Sequence, residues 1–149
     1  MSYTKILYHI VFRTKSSKPT IPNDKSEILY RYIWGLLNNK KCKLFRINGT
    51  PDHIHLLFEL HPSLALANLV KEIKTSTHNF LKNSPEFSNF EAWSEGYAAL
   101  TYSINELETV KSYIANQREH HANISFAEEY RKLLIENGIE INEEYFLKD

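Results

Sequence analysis

Cysteine is almost absent from this sequence, because its 149 residues include only Cys42. One thiol cannot form an internal disulfide framework and favours a reducing, intracellular compartment, so we expect a cytoplasmic protein. The sequence also lacks an apolar run of the roughly 18–20 residues that a membrane span needs. Its first five residues include a charge and begin no apolar segment, which argues against a secretory signal. Membrane-spanning and small secreted proteins are therefore excluded.

Net charge is absent as well, because 18 Lys and Arg residues balance 18 Asp and Glu residues. The balance hides a polarity, since residues 1–82 contain 13 of the basic residues and 5 of the acidic ones. Such a chain can present a basic face to an anion, although scattered surface charges give the same counts. The length suits one domain over residues 1–149, with a core at about 3–121 and a C-terminal helix and acidic tail at about 125–149.

Periodic apolar residues predict alternating strands and helices. The strand patterns lie at about 3–13, 42–47, 53–60 and 96–103, and the helix patterns at about 23–39, 62–82, 105–120 and 125–137. Asn48-Gly49 predicts a hairpin turn between the second and third strands. The order β-α-β-β-α-β predicts an α+β, ferredoxin-like split β-α-β sandwich, with a four-stranded antiparallel sheet, helices on one face and extra C-terminal helices. We expect the other face of the sheet to stay open for binding.

His53 and His55 flank Ile54 in the third predicted strand. Because alternate strand residues share a face, both imidazoles lie on one side while Ile54 enters the core. Two imidazoles about 7 Å apart along a strand can bind one divalent ion and leave its other positions open. A sequence with seven histidines also produces such a pair by chance, so the pair alone does not establish a metal site.

Tyr113 and Gln117 are four residues apart in the third predicted helix and are therefore neighbours on one face. Gln117 offers an amide oxygen that can bind Mg²⁺ or Mn²⁺, and Tyr113 offers a phenol. Tyrosine is common in this sequence, with nine residues, and packing is the usual role of a tyrosine.

Together, His53-Ile54-His55 and the Tyr-x-x-x-Gln pattern of residues 113–117 resemble the two marks of the single-tyrosine HUH transposases of small bacterial insertion sequences, which include the REP-associated tyrosine transposases. The name HUH denotes two histidines around a hydrophobic residue. Further similarity lies in residues 9–15 and in Trp93-x-x-Gly96-Tyr97, and the resemblance covers residues 3–121.

The resemblance implies a metal-dependent enzyme that cuts and rejoins single-stranded DNA. On this basis Tyr113 attacks a phosphodiester, forms a 5′-phosphotyrosine and frees a 3′-hydroxyl, and a second DNA end reverses the reaction. His53, His55 and Gln117 are implied as ligands of Mg²⁺ or Mn²⁺. A homodimer is also implied, in which the tyrosine helix of each protomer completes the histidine pair of the other.

Phenol chemistry fits this role. A phenoxide leaves more readily than an alkoxide, so the covalent intermediate stays reactive. Because only about one tyrosine in a thousand is ionised at pH 7, a nearby cation is needed to stabilise the developing charge.

Contacts with single-stranded or hairpin DNA are expected from basic side chains, because phosphate contacts position a protein on DNA. These are Arg13, Lys15, Lys40, Lys41, Lys43, Arg46, Lys71 and Lys74. Four aromatic residues can stack on unpaired bases, although core packing is expected for most of them: Tyr8, Trp34, Phe45 and Trp93. His120 and His121 are interpreted as a helix-end pair and Asp52 as a turn residue.

Two other functions stay open at this point. One is an inactive or domesticated relative that only binds hairpin DNA or RNA, for which binding is salt-sensitive and independent of metal. The other is a metal-dependent phosphoesterase, for which turnover survives the loss of Tyr113.

Overall fold

The structure is a computed structural model that describes residues 1–149. Four strands form one antiparallel sheet in the order β2-β3-β1-β4: β1 (Leu7–Arg13), β2 (Lys43–Thr50), β3 (His53–Glu59) and β4 (Ala98–Tyr102). The helices are α1 (Ser26–Asn39), α2 (Leu66–Lys82), α3 (Leu107–Ala115), α4 (Gln117–His120) and α5 (Phe126–Glu136). The predicted β-α-β-β-α-β order and the ferredoxin-like α+β fold are confirmed. None of the helices combines the length and the apolar character that crossing a bilayer requires.

One face of the sheet packs against α1 and α2 and forms the main core. Leu29, Ile33 and Leu37 recur every four residues along α1 and are fully buried, as the helical period of the sequence predicts. Ile54 and Leu56 of β3 meet this layer. Each such aliphatic side chain stabilises the fold by about 1.5–3 kcal/mol through burial. The alternation of β3 therefore directs His53 and His55 to the opposite face.

The hairpin between β2 and β3 turns at Pro51-Asp52, so the turn predicted at Asn48-Gly49 is wrong. Asn48 and Gly49 are instead paired with β3. A Cβ atom on Gly49 would lie 2.2 Å from the carbonyl oxygen of His53, so the two backbones approach too closely for any side chain. Glycine is needed here for this close approach rather than for a turn conformation.

The second face of the sheet is covered, so the expectation of an open face is wrong. Its strand residues include the fully buried apolar side chains Val11 and Leu57, which need a cover of their own. Val110 and Ile114 of α3 pack on Leu57, and α5 packs beside Val11. The C-terminal helices therefore close the face that carries the two histidines.

The helix predicted over residues 105–120 is divided at Asn116, whose backbone (φ −95°, ψ 17°) ends α3 before α4 begins. The Asn48 side chain donates to the carbonyl oxygens of Ile114 and Ala115 at 3.1 Å each. These bonds satisfy carbonyls that the helix end leaves free and fix α3 on β2. Tyr113 thus belongs to α3, and Gln117 is the first residue of α4.

Candidate active site

His53 and His55 lie side by side on β3, as predicted, and both side chains are 0% exposed. Their ring centroids are 5.1 Å apart. Strand β3 is an interior strand with β1 and β2 on either side, so its backbone holds both rings at fixed positions. The α3–α5 layer above them removes the rings from water.

The carboxylate of Glu129, on α5, lies between the two histidines. Its Oε1 atom is 3.4 Å from Nε2 of His53 and 3.3 Å from Nε2 of His55. Its Oε2 atom accepts hydrogen bonds from the Tyr113 hydroxyl and, at 2.7 Å, from Nε2 of Gln117. We call these five residues the Glu129 cluster.

The donor atoms of the Glu129 cluster fit a divalent ion. The ligand atoms of His53, His55 and Glu129 all lie within 4.8 Å of one another. The Gln117 Oε1 atom is a fourth donor, 3.2 Å from Nε2 of His53. Ligands at right angles around an ion about 2.1 Å away lie about 3 Å apart, close to these separations. Imidazole nitrogens with carboxylate and amide oxygens are a ligand set for ions such as Mn²⁺ or Mg²⁺.

Asp52 and His9 fix the orientation of the two rings. Asp52 Oδ1 lies 2.7 Å from Nδ1 of His53, and because a carboxylate only accepts, Nδ1 carries the hydrogen. His9 Nε2 lies 2.8 Å from Nδ1 of His55. In both rings Nδ1 is therefore engaged outside the cluster, and Nε2 faces Glu129. Such partners are what orient histidines that bind metals. Asp52 is thus more than the turn residue that the sequence indicates.

His121 lies at the end of α4, as the sequence indicates, and it also contacts the cluster. Its Nε2 atom is 2.7 Å from Oε1 of Glu129, and its Nδ1 atom is 3.0 Å from the carbonyl oxygen of Ile124. His120 is farther away, with Nε2 at 3.7 Å from Oε2 of Glu129. Glu129 is therefore surrounded by groups that can donate to a negative charge.

These contacts shift the proton equilibria in opposite directions. Burial alone would raise the pKa of Glu129, but hydrogen bonds from His121, His53 and His55 lower that pKa far below its ordinary value. Burial and the bond to the Glu129 carboxylate raise the pKa of Tyr113 well above its ordinary value. The carboxylate is therefore charged, and the phenol keeps its proton in this arrangement.

The pKa values of His53 and His55 are also shifted in opposite directions. Burial lowers the pKa of His55 to about 4. Burial also lowers the pKa of His53, but its bonds to Asp52 and Glu129 outweigh that effect and raise the pKa above the ordinary value. At neutral pH His55 is therefore a neutral imidazole that can bind an ion, whereas the acidic neighbours of His53 favour its protonated form.

A family model described as "Transposase IS200 like" matches residues 2–117, which is most of the chain and includes both motifs. This chain belongs to the IS200-like transposase family. Among curated relatives, the transposase for insertion sequence element IS200 of Salmonella typhimurium is 25% identical to it over 117 residues, which are 75% of this chain and 76% of that protein. The ISDra2 transposase TnpA of Deinococcus radiodurans is 22% identical over 117 residues, 75% of this chain and 84% of that protein.

Two solved structures share the fold of this transposase. A REP-associated tyrosine transposase bound to a REP hairpin has a TM-score of 0.63 at 12% identity, over 83% of this chain and 73% of that one. A crystal structure of a Deinococcus radiodurans protein described as a transposase has a TM-score of 0.59 at 23% identity, over 78% of this chain and 93% of that one.

In this transposase Tyr113 and Gln117 lie beside the histidine pair of their own chain. The ring centroids of Tyr113 and His55 are 5.9 Å apart, and Gln117 is 0% exposed beside His53. All five members of the Glu129 cluster come from one chain, and the sharing of sites between two protomers stays a prediction.

Three of the predicted basic residues of the transposase are engaged within the fold. Arg13 is buried and pairs with His53 across β1 and β3. Lys40 pairs with Glu72, and Lys74 donates to the carbonyl oxygens of Ser94 and Gly96, so both are partly engaged within the fold. The others are exposed and lie on the β1 exit, the β2 edge and α2: Lys15, Lys41, Lys43, Arg46 and Lys71.

The aromatic residues divide as follows. Tyr8 and Trp93 pack against the main core, and Phe45 packs under α3, as expected for most of the set. Trp34 differs, because its side chain is 55% exposed.

Sequence analysis missed Glu129. A signal was nonetheless present, because Glu129 lies three residues after Phe126 and four before Leu133 in a predicted helix. Those spacings place its carboxylate on the apolar face of α5. A charged residue on a buried helix face is rarely tolerated without partners, so its position alone indicated a polar site beneath α5.

Proposed function

We propose that this transposase cuts and rejoins single-stranded DNA through a covalent 5′-phosphotyrosine on Tyr113, with a divalent metal ion held by His53, His55 and Glu129 and assisted by Gln117. The observation that carries the proposal is the Glu129 carboxylate, which contacts both histidines and the hydroxyl of Tyr113 at once. A nucleophile and a metal-ligand set are thereby joined in one buried cluster.

In the cleavage step the Tyr113 oxygen attacks the phosphorus of a phosphodiester. As the bond from phosphorus to the 3′ oxygen breaks, the phenol proton passes through its hydrogen-bond acceptor, Glu129, to the departing 3′ oxygen. That oxygen leaves as a hydroxyl, Glu129 stays a carboxylate, and the 5′ phosphate stays on Tyr113. When the 3′-hydroxyl of another strand attacks that phosphorus, Tyr113 leaves and the backbone is restored without an external energy source.

The protein contributes position and charge to this step. Asp52 and His9 keep the Nε2 atoms of His53 and His55 directed at the cluster. Gln117 donates to Glu129 and holds the carboxylate beside the phenol. A bound Mg²⁺ or Mn²⁺ would polarise the phosphoryl oxygens and stabilise the charge that develops there. Burial strengthens these electrostatic interactions because water is excluded.

Hairpin DNA is the proposed substrate. The structural neighbour bound to a REP hairpin supports this substrate class, and the exposed basic residues of the β1 exit and the β2 edge supply phosphate contacts. The cluster contained in one chain supports a site that acts in cis. A homodimer is a separate prediction. Sedimentation of the purified protein tests it by measuring the oligomeric state.

The test is formation of a covalent adduct. The protein is incubated with Mn²⁺ and labelled hairpin DNA from its own locus, and products are resolved under denaturing conditions. The proposal predicts a protein–DNA adduct in the wild type and none in Tyr113→Phe. Tyr32→Phe, which removes a hydroxyl from α1 on the opposite face of the sheet, is the matched control and should retain the adduct. An adduct of unchanged yield in Tyr113→Phe contradicts the proposal.

A second candidate is a module that binds hairpin DNA or RNA without cutting it. One observation favours it, because His53, His55 and Gln117 are each 0% exposed and the Tyr113 proton is held by Glu129. The metal ligands of this cluster therefore have no surface open to a scissile phosphate in this arrangement, and only Tyr113 is partly exposed. Tight hairpin binding without any adduct, unchanged by a chelator, would establish this candidate over the first.

A further inference from the structure

Arg13 is a buried cation next to the Glu129 cluster. It ends β1 and pairs with His53, so the two side chains leave the sheet on the same face. The residue is only 6% exposed, and its Nη2 atom has no hydrogen-bond partner. A buried guanidinium that leaves donors unused is costly and suits an anionic ligand.

The loop after Arg13 adds further donors. Ser16 and Ser17 have φ values of 56° and 53°, a left-handed conformation that non-glycine residues rarely adopt. The Ser17 hydroxyl oxygen lies 3.2 Å from Nη1 of Arg13. The Ser16 hydroxyl donates to the carboxylate that also contacts Arg13. The backbone N–H of Ser17 donates to the carbonyl oxygen of Thr14 at 3.0 Å, so the donors that this loop offers an anion are the serine hydroxyls and the Ser16 N–H. We call Arg13, Ser16 and Ser17 the anion cradle.

A carboxylate of the chain itself is bound in the anion cradle. Asp149 Oδ1 is 3.2 Å from Nη1 of Arg13, and Oδ2 accepts a hydrogen bond of 2.9 Å from Ser16. Burial would raise the pKa of Asp149, but the bonds from Ser16 and Ser94 and the charge of Arg13 lower that pKa below its ordinary value. The cradle therefore holds an oxyanion, although the carboxylate leaves Nη2 of Arg13 free.

An aromatic cavity adjoins the anion cradle. Its volume is about 340 Å³, in the range of sites for small ligands. Arg13 contributes to its wall. The other lining side chains include aromatic residues from the segment before β4, from α5 and from the C-terminal segment: Tyr97, Phe126, Tyr130, Tyr145 and Phe146. The centroid of the Phe126 ring also lies 4.2 Å from that of His53, so Phe126 contacts both the cavity and the Glu129 cluster.

We propose that the anion cradle and the aromatic cavity form a subsite for one nucleotide of single-stranded DNA, next to the scissile phosphate, and that the Asp149 carboxylate occupies the position of that nucleotide's phosphate. The inference rests on the proposed function for its substrate class. A guanidinium with serine donors suits a backbone phosphate, and aromatic faces suit an unpaired base. Arg13 belongs to the cradle and to the cavity wall, and Phe126 contacts both the cavity and His53. One DNA strand could therefore contact the subsite and the Glu129 cluster together.

Binding to a short fluorescein-labelled oligothymidylate tests the subsite without chemistry. Fluorescence anisotropy is measured in a Tyr113→Phe background, so that no covalent adduct contributes. Asp149→Asn removes the competing carboxylate and should tighten binding about fivefold. Glu143→Gln is the matched control, because it removes one negative charge from an exposed pair with Arg131 in the same segment. It should leave binding within about twofold, since exposed charges contribute little.

The complementary variants should weaken binding. Arg13→Gln removes the cation and should weaken binding about tenfold. Ser16→Ala removes one hydroxyl from an exposed loop and should also weaken binding. It therefore tests the subsite even if Arg13→Gln does not fold. Tyr145→Ala should weaken binding about fivefold for the oligothymidylate, whereas Tyr3→Ala should not, because Tyr3 is exposed outside the cavity. Thermal unfolding of each variant verifies that it is folded.

The outcomes separate this inference from the proposed function. Equal affinities for Asp149→Asn and Glu143→Gln, with no loss in Ser16→Ala, overturn the subsite even if the wild type forms the covalent adduct. The predicted changes in affinity without any wild-type adduct support the subsite and contradict the cleavage chemistry. If Asp149→Asn tightens binding but Tyr145→Ala has no effect, the cradle binds a phosphate alone and the proposed base site is wrong.

Discussion

Tyr113 donates its hydroxyl hydrogen to the Glu129 carboxylate, which also contacts both histidines of β3. This relationship links residues 16 positions apart through the packing of α5 on α3. One carboxylate thereby bridges the proposed nucleophile and the proposed metal ligands.

Glu129→Gln should weaken Mn²⁺ binding at least tenfold, because a neutral amide replaces a charged oxygen ligand. It should also reduce the yield of the covalent adduct, because the acceptor of the phenol proton is lost. Isothermal titration calorimetry and the adduct assay measure the two effects. Glu136→Gln, on the exposed side of α5, should alter neither. A higher adduct yield in Glu129→Gln would show that the carboxylate only blocks Tyr113.

A mixture of Tyr113→Phe and His53→Ala proteins should form no adduct. Each chain contains its own complete cluster, so a site that acts in cis cannot be rebuilt from two defective chains. The adduct assay is run on each variant alone, on the mixture after joint refolding, and on the wild type. Recovery of adduct in the mixture would show that two chains exchange the Tyr113 helix.

The affinity for Mn²⁺ should fall as the pH is lowered through the pKa of His53. Asp52 and Glu129 raise that pKa above the ordinary histidine value in the metal-free protein. The pH window in which the proton and the ion compete for His53 therefore begins above that ordinary value. His55, with a pKa of about 4, is already neutral there and should contribute no proton. Affinity should drop about tenfold per pH unit below the window, with one proton released per bound ion.

Asp52→Asn provides the control for this pH dependence. The carboxylate of Asp52 raises the pKa of His53, so its removal should move the window to lower pH. Titration calorimetry in buffers of different ionisation enthalpy counts the released protons. A window that does not move in Asp52→Asn, or a release of two protons, contradicts the assigned roles of His53 and His55.

Gly49→Ala should destabilise the protein by about 1–3 kcal/mol, because the new methyl group would meet the His53 carbonyl oxygen and push β2 away from β3. In a protein of this size the loss corresponds to roughly 2–4 °C of melting temperature per kcal/mol. Gly35→Ala is the matched control. A Cβ on Gly35 meets nothing within 4 Å inside α1, so this change should stabilise by about 0.5–1 kcal/mol. A neutral Gly49→Ala would contradict the close approach of the strands.

The local rules of the sequence predicted the fold and half of the candidate site. Alternation along β3 placed His53 and His55 together, and helical spacing placed Tyr113 near Gln117, although Asn116 ends α3 between them. The same rules failed at Asn48-Gly49, where glycine serves a close approach across the hairpin. Turn propensity describes only neighbouring residues, whereas this approach depends on the pairing of two strands.

The sequence by itself determined which residues share a face, because strand and helix periods are properties of the local backbone. Only the tertiary structure decided that α5 covers the histidine face, that Glu129 lies between the two rings, and that Asp149 reaches Arg13. These contacts join residues 74 and 136 positions apart along the chain. Such pairs meet because separate apolar faces bury one another, and no repeat along the chain records which faces will pack together.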